Sequence, residues 1–127
     1  MPGRSAKTLN VIVVADNRET LDGLHGYLSG AGIASQTRRT LGALPTSTTV
    51  VVLFPDEFDA EAVTSAIGSL RSSRPKLQLV VITSTPQRYR PTLDPDGRSR
   101  LPVVLQKPAF GWTILDTLRG QAGAETQ

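Results

Sequence analysis

The chain predicts a doubly wound α/β domain, a five-stranded parallel sheet with helices on both faces. Three observations carry that prediction. Short, β-branched apolar runs recur along the chain without the polar alternation of a half-exposed strand, the pattern expected of strands buried on both faces. Most are separated by segments whose apolar residues repeat every three to four positions, and parallel neighbours need crossovers of that kind. The 127 residues suffice for one hydrophobic core and not for two.

The first run, Thr8-Leu9-Asn10-Val11-Ile12-Val13-Val14-Ala15, predicts strand one. A helical stripe follows at Leu21, Leu24 and Leu28, with Asp16 or Asn17 available as N-cap and Gly30 and Gly32 as the stop. Gly23 and Gly26 cost that helix about 1 kcal/mol each relative to alanine, so packing must hold it. Ile33 to Thr37 predicts a shorter second strand, and Arg39 to Leu44, which ends at Pro45, a small helix. Val50-Val51-Val52-Leu53-Phe54 is the clearest buried strand, stopped by Pro55, which has no N–H for a sheet ladder. Asp59 caps the next helix, whose stripe is Val63, Ala66, Ile67 and Leu70 and which ends before Pro75. Leu77 to Thr83 and Leu101 to Leu105 predict strands four and five. Between them, Pro86, Pro91, Pro95 and Gly97 oppose a long helix, so the fourth helix is expected to be short or missing. A last helix runs from about Phe110 to Leu118 on a stripe of Ile114, Leu115 and Leu118. The expected organisation is an N-terminal tail over 1–7, the domain over 8–119, and a flexible C-terminal tail or linker over 120–127, which hints at a following output region.

Composition narrows the chemistry. A chain that is 39% hydrophobic and 20% charged folds in water, and no apolar stretch approaches the roughly 20 residues of a membrane helix. The opening seven residues are not followed by a signal-type apolar run, which predicts a cytoplasmic protein. With no cysteine there is no disulfide, thiolate zinc site or cysteine nucleophile, and the single His25 excludes a poly-histidine metal site. The net charge of +3 is uneven: residues 71–107 hold eight Lys/Arg against two Asp, +6, while residues 1–70 hold five against seven acids, −2. That basic region reads first as solvated surface, with an anionic partner or nucleic acid as alternatives.

From about Leu9 to Leu118 the order and spacing of these elements resemble the receiver domain of bacterial two-component response regulators, the CheY-like (βα)5 fold, which is flavodoxin-like in architecture. The resemblance implies a site at the carboxyl ends of the strands, and this sequence departs from it. Receivers bind Mg²⁺ with an acidic pair after strand one; here Asp16 remains and Ala15 replaces the first acid. Their phosphoaccepting aspartate ends strand three, where this chain has Phe54, with Pro55 as the neighbouring alternative. Thr83 matches the hydroxyl residue that contacts the phosphoryl group, and Lys107-Pro108 matches the family's Lys-Pro signature, which implies a cis peptide before Pro108. The aromatic switch position corresponds to Val104. A dinucleotide-binding alternative lacks its glycine fingerprint, since the turn after strand one reads Asp16-Asn17-Arg18-Glu19.

Phosphoryl transfer to a carboxylate needs an oxygen nucleophile, Mg²⁺ on hard oxygen ligands, and a cation for the developing charge. Of these only the cation, Lys107, is plainly present, so no cofactor, no tight metal site and no enzymatic activity are expected. Lys107 is then expected to pair with Asp16 across strands one and five. Pro55-Asp56-Glu57 reads as an exposed turn, although Asp56 shares the alternation phase of Phe54 and a shifted register would make it an acceptor. His25 reads as a half-exposed surface residue. The leading functional expectation is a pseudo-receiver that binds a protein partner, another domain of its own chain or a second copy without phosphate control. The resemblance points to the face of helix four, strand five and helix five, with Tyr89, Arg98, Arg100, Phe110 and Trp112 as candidate contacts. A phosphorelay component using Asp56 and Mg²⁺ is the alternative, and a nucleic-acid contact through Arg88, Arg90, Arg98 and Arg100 a weaker one.

Overall fold

The computed structural model of the protein describes residues 10–42, 44–94, 97, 101–107 and 111–125, with the side chains of the last helix described as far as residue 120. Five strands, β1 (Asn10–Val14), β2 (Ala34–Arg38), β3 (Val50–Leu53), β4 (Gln78–Thr83) and β5 (Val103–Gln106), pair in parallel in the order β2-β1-β3-β4-β5. Four helices are described: α1 (Arg18–Gly30), α2 (Ala60–Ser73), α3 (Pro86–Leu93) and α4 (Gly111–Glu125). The parallel sandwich is the predicted one, with a strand order that reverses between β1 and β3, where folds of this kind open a crevice at the carboxyl ends of their strands.

Period-two alternation along the strands sorts the core into two layers. Val11, Val13, Val50, Val52, Val80 and Ile82 pack under α1 and α4 with Leu21, Leu24, Leu28, Ile114, Leu115 and Leu118. Ile12, Val14, Val51, Leu53, Leu79 and Val81 pack under α2 and α3 with Val63, Ile67, Tyr89 and Leu93. Two predicted caps hold: the side chain of Asn17 accepts from the Thr20 N–H at 3.1 Å, and that of Asp59 from the Ala62 N–H at 3.2 Å. Gly32, at φ 82°, supplies the left-handed turn between α1 and β2.

Two predicted elements come out differently. Residues 39–44 form no helix among those described; the chain bends there, and Leu41 and Leu44 pack onto the α2/α3 layer. Six residues before a proline are too few to nucleate a helix, and Pro45 turns Leu44 from helical backbone. The Arg74 guanidinium holds the ensuing loop instead, donating to the carbonyls of Pro45, Thr46 and Thr48 at 2.9–3.0 Å. In the fourth crossover the proline-rich stretch does form a helix, short as expected, with Pro86 in its first turn, where a missing N–H costs nothing. The buried Arg71 donates to Thr92 O at 2.7 Å near its end. Helix α4 continues to Glu125, so most of the stretch expected as a flexible tail begins as helix; Gln121, Ala122, Ala124 and Glu125 are strong helix formers that outweigh Gly120 and Gly123.

Candidate functional site

Strand β3 ends at Leu53, and because Leu53 stands opposite Val81 on β4, the next residue, Phe54, lies level with Ile82 and packs with it in the α1/α4 layer. Phe54 is thus a buried benzyl ring at the end of β3. Pro55–Glu57 then winds into one 3₁₀ turn, which breaks the strand alternation. That turn carries Asp56 to Thr83 and Ser84 at the end of β4.

The Asp56 carboxylate is held from three sides. Its Oδ1 accepts from the Thr83 hydroxyl at 2.5 Å, and its Oδ2 accepts from the Ser84 N–H and the Ser84 hydroxyl, each at 2.9 Å. The Lys107 ammonium stands 3.6 Å from Oδ2 and 5.9 Å from the centroid of the Phe54 ring. Burial pushes the Asp56 carboxyl up, but the Ser84 N–H, the two hydroxyls and the Lys107 charge outweigh it and hold the group below its ordinary 3.8. The exposed turn expected here is present and Asp56 is an exposed residue, but its side chain, 21% exposed, joins Thr83, Ser84 and Lys107. The expected Lys107–Asp16 pair is corrected as well, because Asp56 lies nearer to Lys107, while Asp16 faces Arg39 at 3.6 Å.

Glu57 supplies a second internal anion that sequence reasoning missed. Its Oε1 accepts the backbone N–H groups of Asp16 and Asn17, both at 2.7 Å. These amides open α1, where the first N–H groups lack helical partners and the helix dipole favours negative charge. The sequence signal was an acid next to Asp56 with no partner assigned to it. Two neighbouring carboxylates on one turn thus fill two anion-accepting positions, one at each side of the β3 end.

These residues do not fit the Mg²⁺ of the receiver family. Ala15 offers no side-chain ligand, the Asp16 carboxylate faces the Arg39 cation at 3.6 Å, and Glu57 Oε1 accepts two backbone amides. Among the described residues no group of three or more His, Asp or Glu side chains gathers for a metal.

The remaining predicted positions divide. Thr83 is fully buried and its carbonyl accepts the Lys107 N–H at 3.1 Å, which ties β4 to the end of β5 beside Asp56. Val104 is 38% exposed on β5, and Leu101 and Trp112 are exposed near it in sequence, at 58% and 59%. Tyr89 is withdrawn from the candidate partner face: it is only 1% exposed, because the apolar stripe of α3, Tyr89 and Leu93, turns onto the sheet. Burial, with the Asp56 charge, raises its phenol above the ordinary 10.0 and keeps it neutral. His25 is half-buried as expected, its Nδ1 2.7 Å from the Ser35 hydroxyl. Arg98, Arg100, Pro108 and Phe110 lie outside the described residues.

No family model and no curated protein matches the chain. Solved structures do. A CheY-like response regulator receiver domain protein from Methanospirillum hungatei JF-1 superposes with a TM-score of 0.75 at 12% identity, over 94% of this chain and 97% of that one. A response regulator receiver protein from Sinorhizobium medicae WSM419 gives 0.73 at 15% identity, over 94% and 98%. A Rhodopirellula baltica structure described as an adenylate cyclase gives 0.72 at 14% identity, over 91% and 88%. The chain has the fold of a CheY-like response regulator receiver domain.

Proposed function

We propose that this receiver-like domain is a phosphorylation-independent protein-interaction module of a cytoplasmic bacterial signalling pathway, with no catalytic activity of its own. One observation carries the reading. Thr83 and Lys107, the positions that match the phosphoryl-contacting hydroxyl and the signature lysine of receivers, are both engaged by the Asp56 carboxylate of the same chain. A resident carboxylate stands where an external anion would be stabilised, so the loop after β4 is held in one arrangement without a phosphorylation event. The loss of the first metal-binding acid at Ala15 and the placement of Asp16 on Arg39 support the same reading.

The output surface in this reading is the α3–β5–α4 side. Val104 and Leu101 expose apolar area there, and Arg88 and Arg90 are exposed on α3. The partner is a protein, another domain of the same chain, or a second copy. One geometric feature favours a second reading, phosphoacceptance by Asp56, because Asp56 lies beside both Thr83 and Lys107. Incubation with acetyl phosphate and Mg²⁺ followed by intact-mass measurement separates the two. The module reading expects the mass unchanged; a gain of one phosphoryl group that D56N abolishes would replace it with the phosphorelay reading.

A further inference from the structure

Replacing an acid by Phe54 changes more than the loss of an acceptor, because it lines the carboxyl-end crevice with carbon. Between α1 and α4 lies a cavity of about 470 Å³, walled by Leu24, Phe54, Ile82 and Ile114, with the Tyr27 ring at one side and Lys107 in its lining. Its size falls within the several-hundred-Å³ range of small-molecule sites, and apolar walls with a few convergent polar groups are their usual make-up. Two glycines shape it. A Cβ on Gly23 would meet no atom within 4 Å, so this wall of α1 is left open, whereas a Cβ on Gly111 would come to 3.2 Å from the Tyr27 ring, a contact to which that ring would have to give way by a few tenths of an ångström.

The polar groups of the lining are Lys107 on one side and Glu19 and Thr20 on the other. Lys107 keeps 32% of its side chain exposed, and among the described residues its ammonium makes the 3.6 Å ion pair with Asp56 and the 5.9 Å contact with the Phe54 ring. An ammonium carries three donors, and an ion pair at 3.6 Å is longer than a hydrogen bond, which leaves donors for a second anion. Glu19 and Thr20 stand on the α1 side of the lining, and the carboxylate there disfavours a second anionic group on the ligand.

We infer that this crevice binds a small aromatic monoanion, its ring system against Phe54, Leu24, Tyr27 and Ile114 and its single carboxylate on the Lys107 ammonium. Such a site goes beyond the interaction module and does not depend on it: the cavity exists whether or not the α3–β5–α4 side takes a protein. Bound there, the ligand shares Lys107 with Asp56, which would give the module a chemical input in place of a phosphoryl group.

The test is a heteronuclear NMR titration of the full chain with 2-naphthoate and, separately, with its neutral carboxamide. Saturable shifts centred on the amides of Gly23, Leu24, Tyr27, Gly111 and Ile114 are expected, with the carboxamide at least tenfold weaker. Lys107→Gln should bring naphthoate down to the carboxamide's affinity, and Gly23→Leu, which adds a side chain to the open wall of a helix that tolerates it, should weaken both ligands together. Shifts scattered over the surface, no saturation by solubility, or naphthoate binding undiminished in both variants would overturn the assignment. Equal affinity for acid and amide would overturn the role given to Lys107 and the monoanion with it.

Discussion

Replacing Asp56 by alanine removes one carboxylate and leaves four donors behind. Hydrogen bonds to a charged acceptor contribute about 1.5–3 kcal/mol each, but those values do not add here. Ser84 is exposed, so water replaces the acceptor for its N–H and hydroxyl at little cost. Thr83 is fully buried, and its hydroxyl is left with Thr85 Oγ1 at 3.3 Å as a poorer acceptor, a loss of about 1–2 kcal/mol. The Lys107 pair, with side chains 32% and 21% exposed, adds at most about 1 kcal/mol. D56A should therefore lower the unfolding free energy by roughly 1–3 kcal/mol in urea denaturation. D16A breaks an ion pair whose side chains are both more than half exposed, and should cost under about 0.5 kcal/mol. The contrast between the two aspartates is the diagnostic quantity. If D56A were as mild as D16A, Asp56 would not be the group that organises the site.

The remaining predictions concern neighbouring parts of the same structure. The Asp56 carboxyl is depressed in the folded state, so its stabilisation is fully present above the unfolded carboxyl pKa of about 3.9 and is lost as pH falls through the lower folded value; acid titration of stability should show this loss in the wild type, and D56A should lack it. Glu57→Ala should cost about 1 kcal/mol or slightly more and accelerate amide hydrogen exchange at Asp16 and Asn17, whose N–H groups it now holds. Arg74→Ala should destabilise by about 1–3 kcal/mol, because three loop carbonyls lose one shared donor, and should leave β3 chemical shifts in place. Tyr89→Ala empties a fully packed site under α3 and should cost about 3–5 kcal/mol by thermal or urea unfolding.

Much of the architecture was legible because buried parallel strands and striped helices leave periodic marks that few other arrangements produce. Val50 to Leu53 and Gln78 to Thr83 are buried along their whole length, and the stripes Leu21–Leu24–Leu28 and Ile114–Leu115–Leu118 do face the sheet. The Arg39–Leu44 segment failed because local pattern was too short to specify a helix and the deciding interaction comes from Arg74, some 30 residues away in sequence. In the pocket, Thr83 and Lys107 were identifiable from their places at strand ends. Asp56 was named only as an alternative acceptor, on the strand phase it shares with Phe54, and its pairing with Thr83, Ser84 and Lys107 was missed because Pro55–Glu57 forms a 3₁₀ turn that read as a surface turn. Once Asp56 turns toward Thr83 it becomes the nearer partner of Lys107, and Asp16 is left to Arg39. A single backbone turn thus accounts for both errors about the site. Tyr89 illustrates the same limit on α3: an aromatic amid prolines and arginines looks like surface until the helix phase is known.

Phosphorylation independence is tested most directly by a heteronuclear NMR titration of the wild-type domain with Mg²⁺, with and without beryllofluoride, a mimic of the aspartyl phosphate. The resident Asp56 carboxylate predicts no saturable change at the amides of Asp16, Asp56, Thr83, Ser84 and Lys107 at millimolar Mg²⁺. Saturable, beryllofluoride-dependent shifts at those amides, lost in D56N, would show that Asp56 is a working acceptor and would contradict the phosphorylation-independent module.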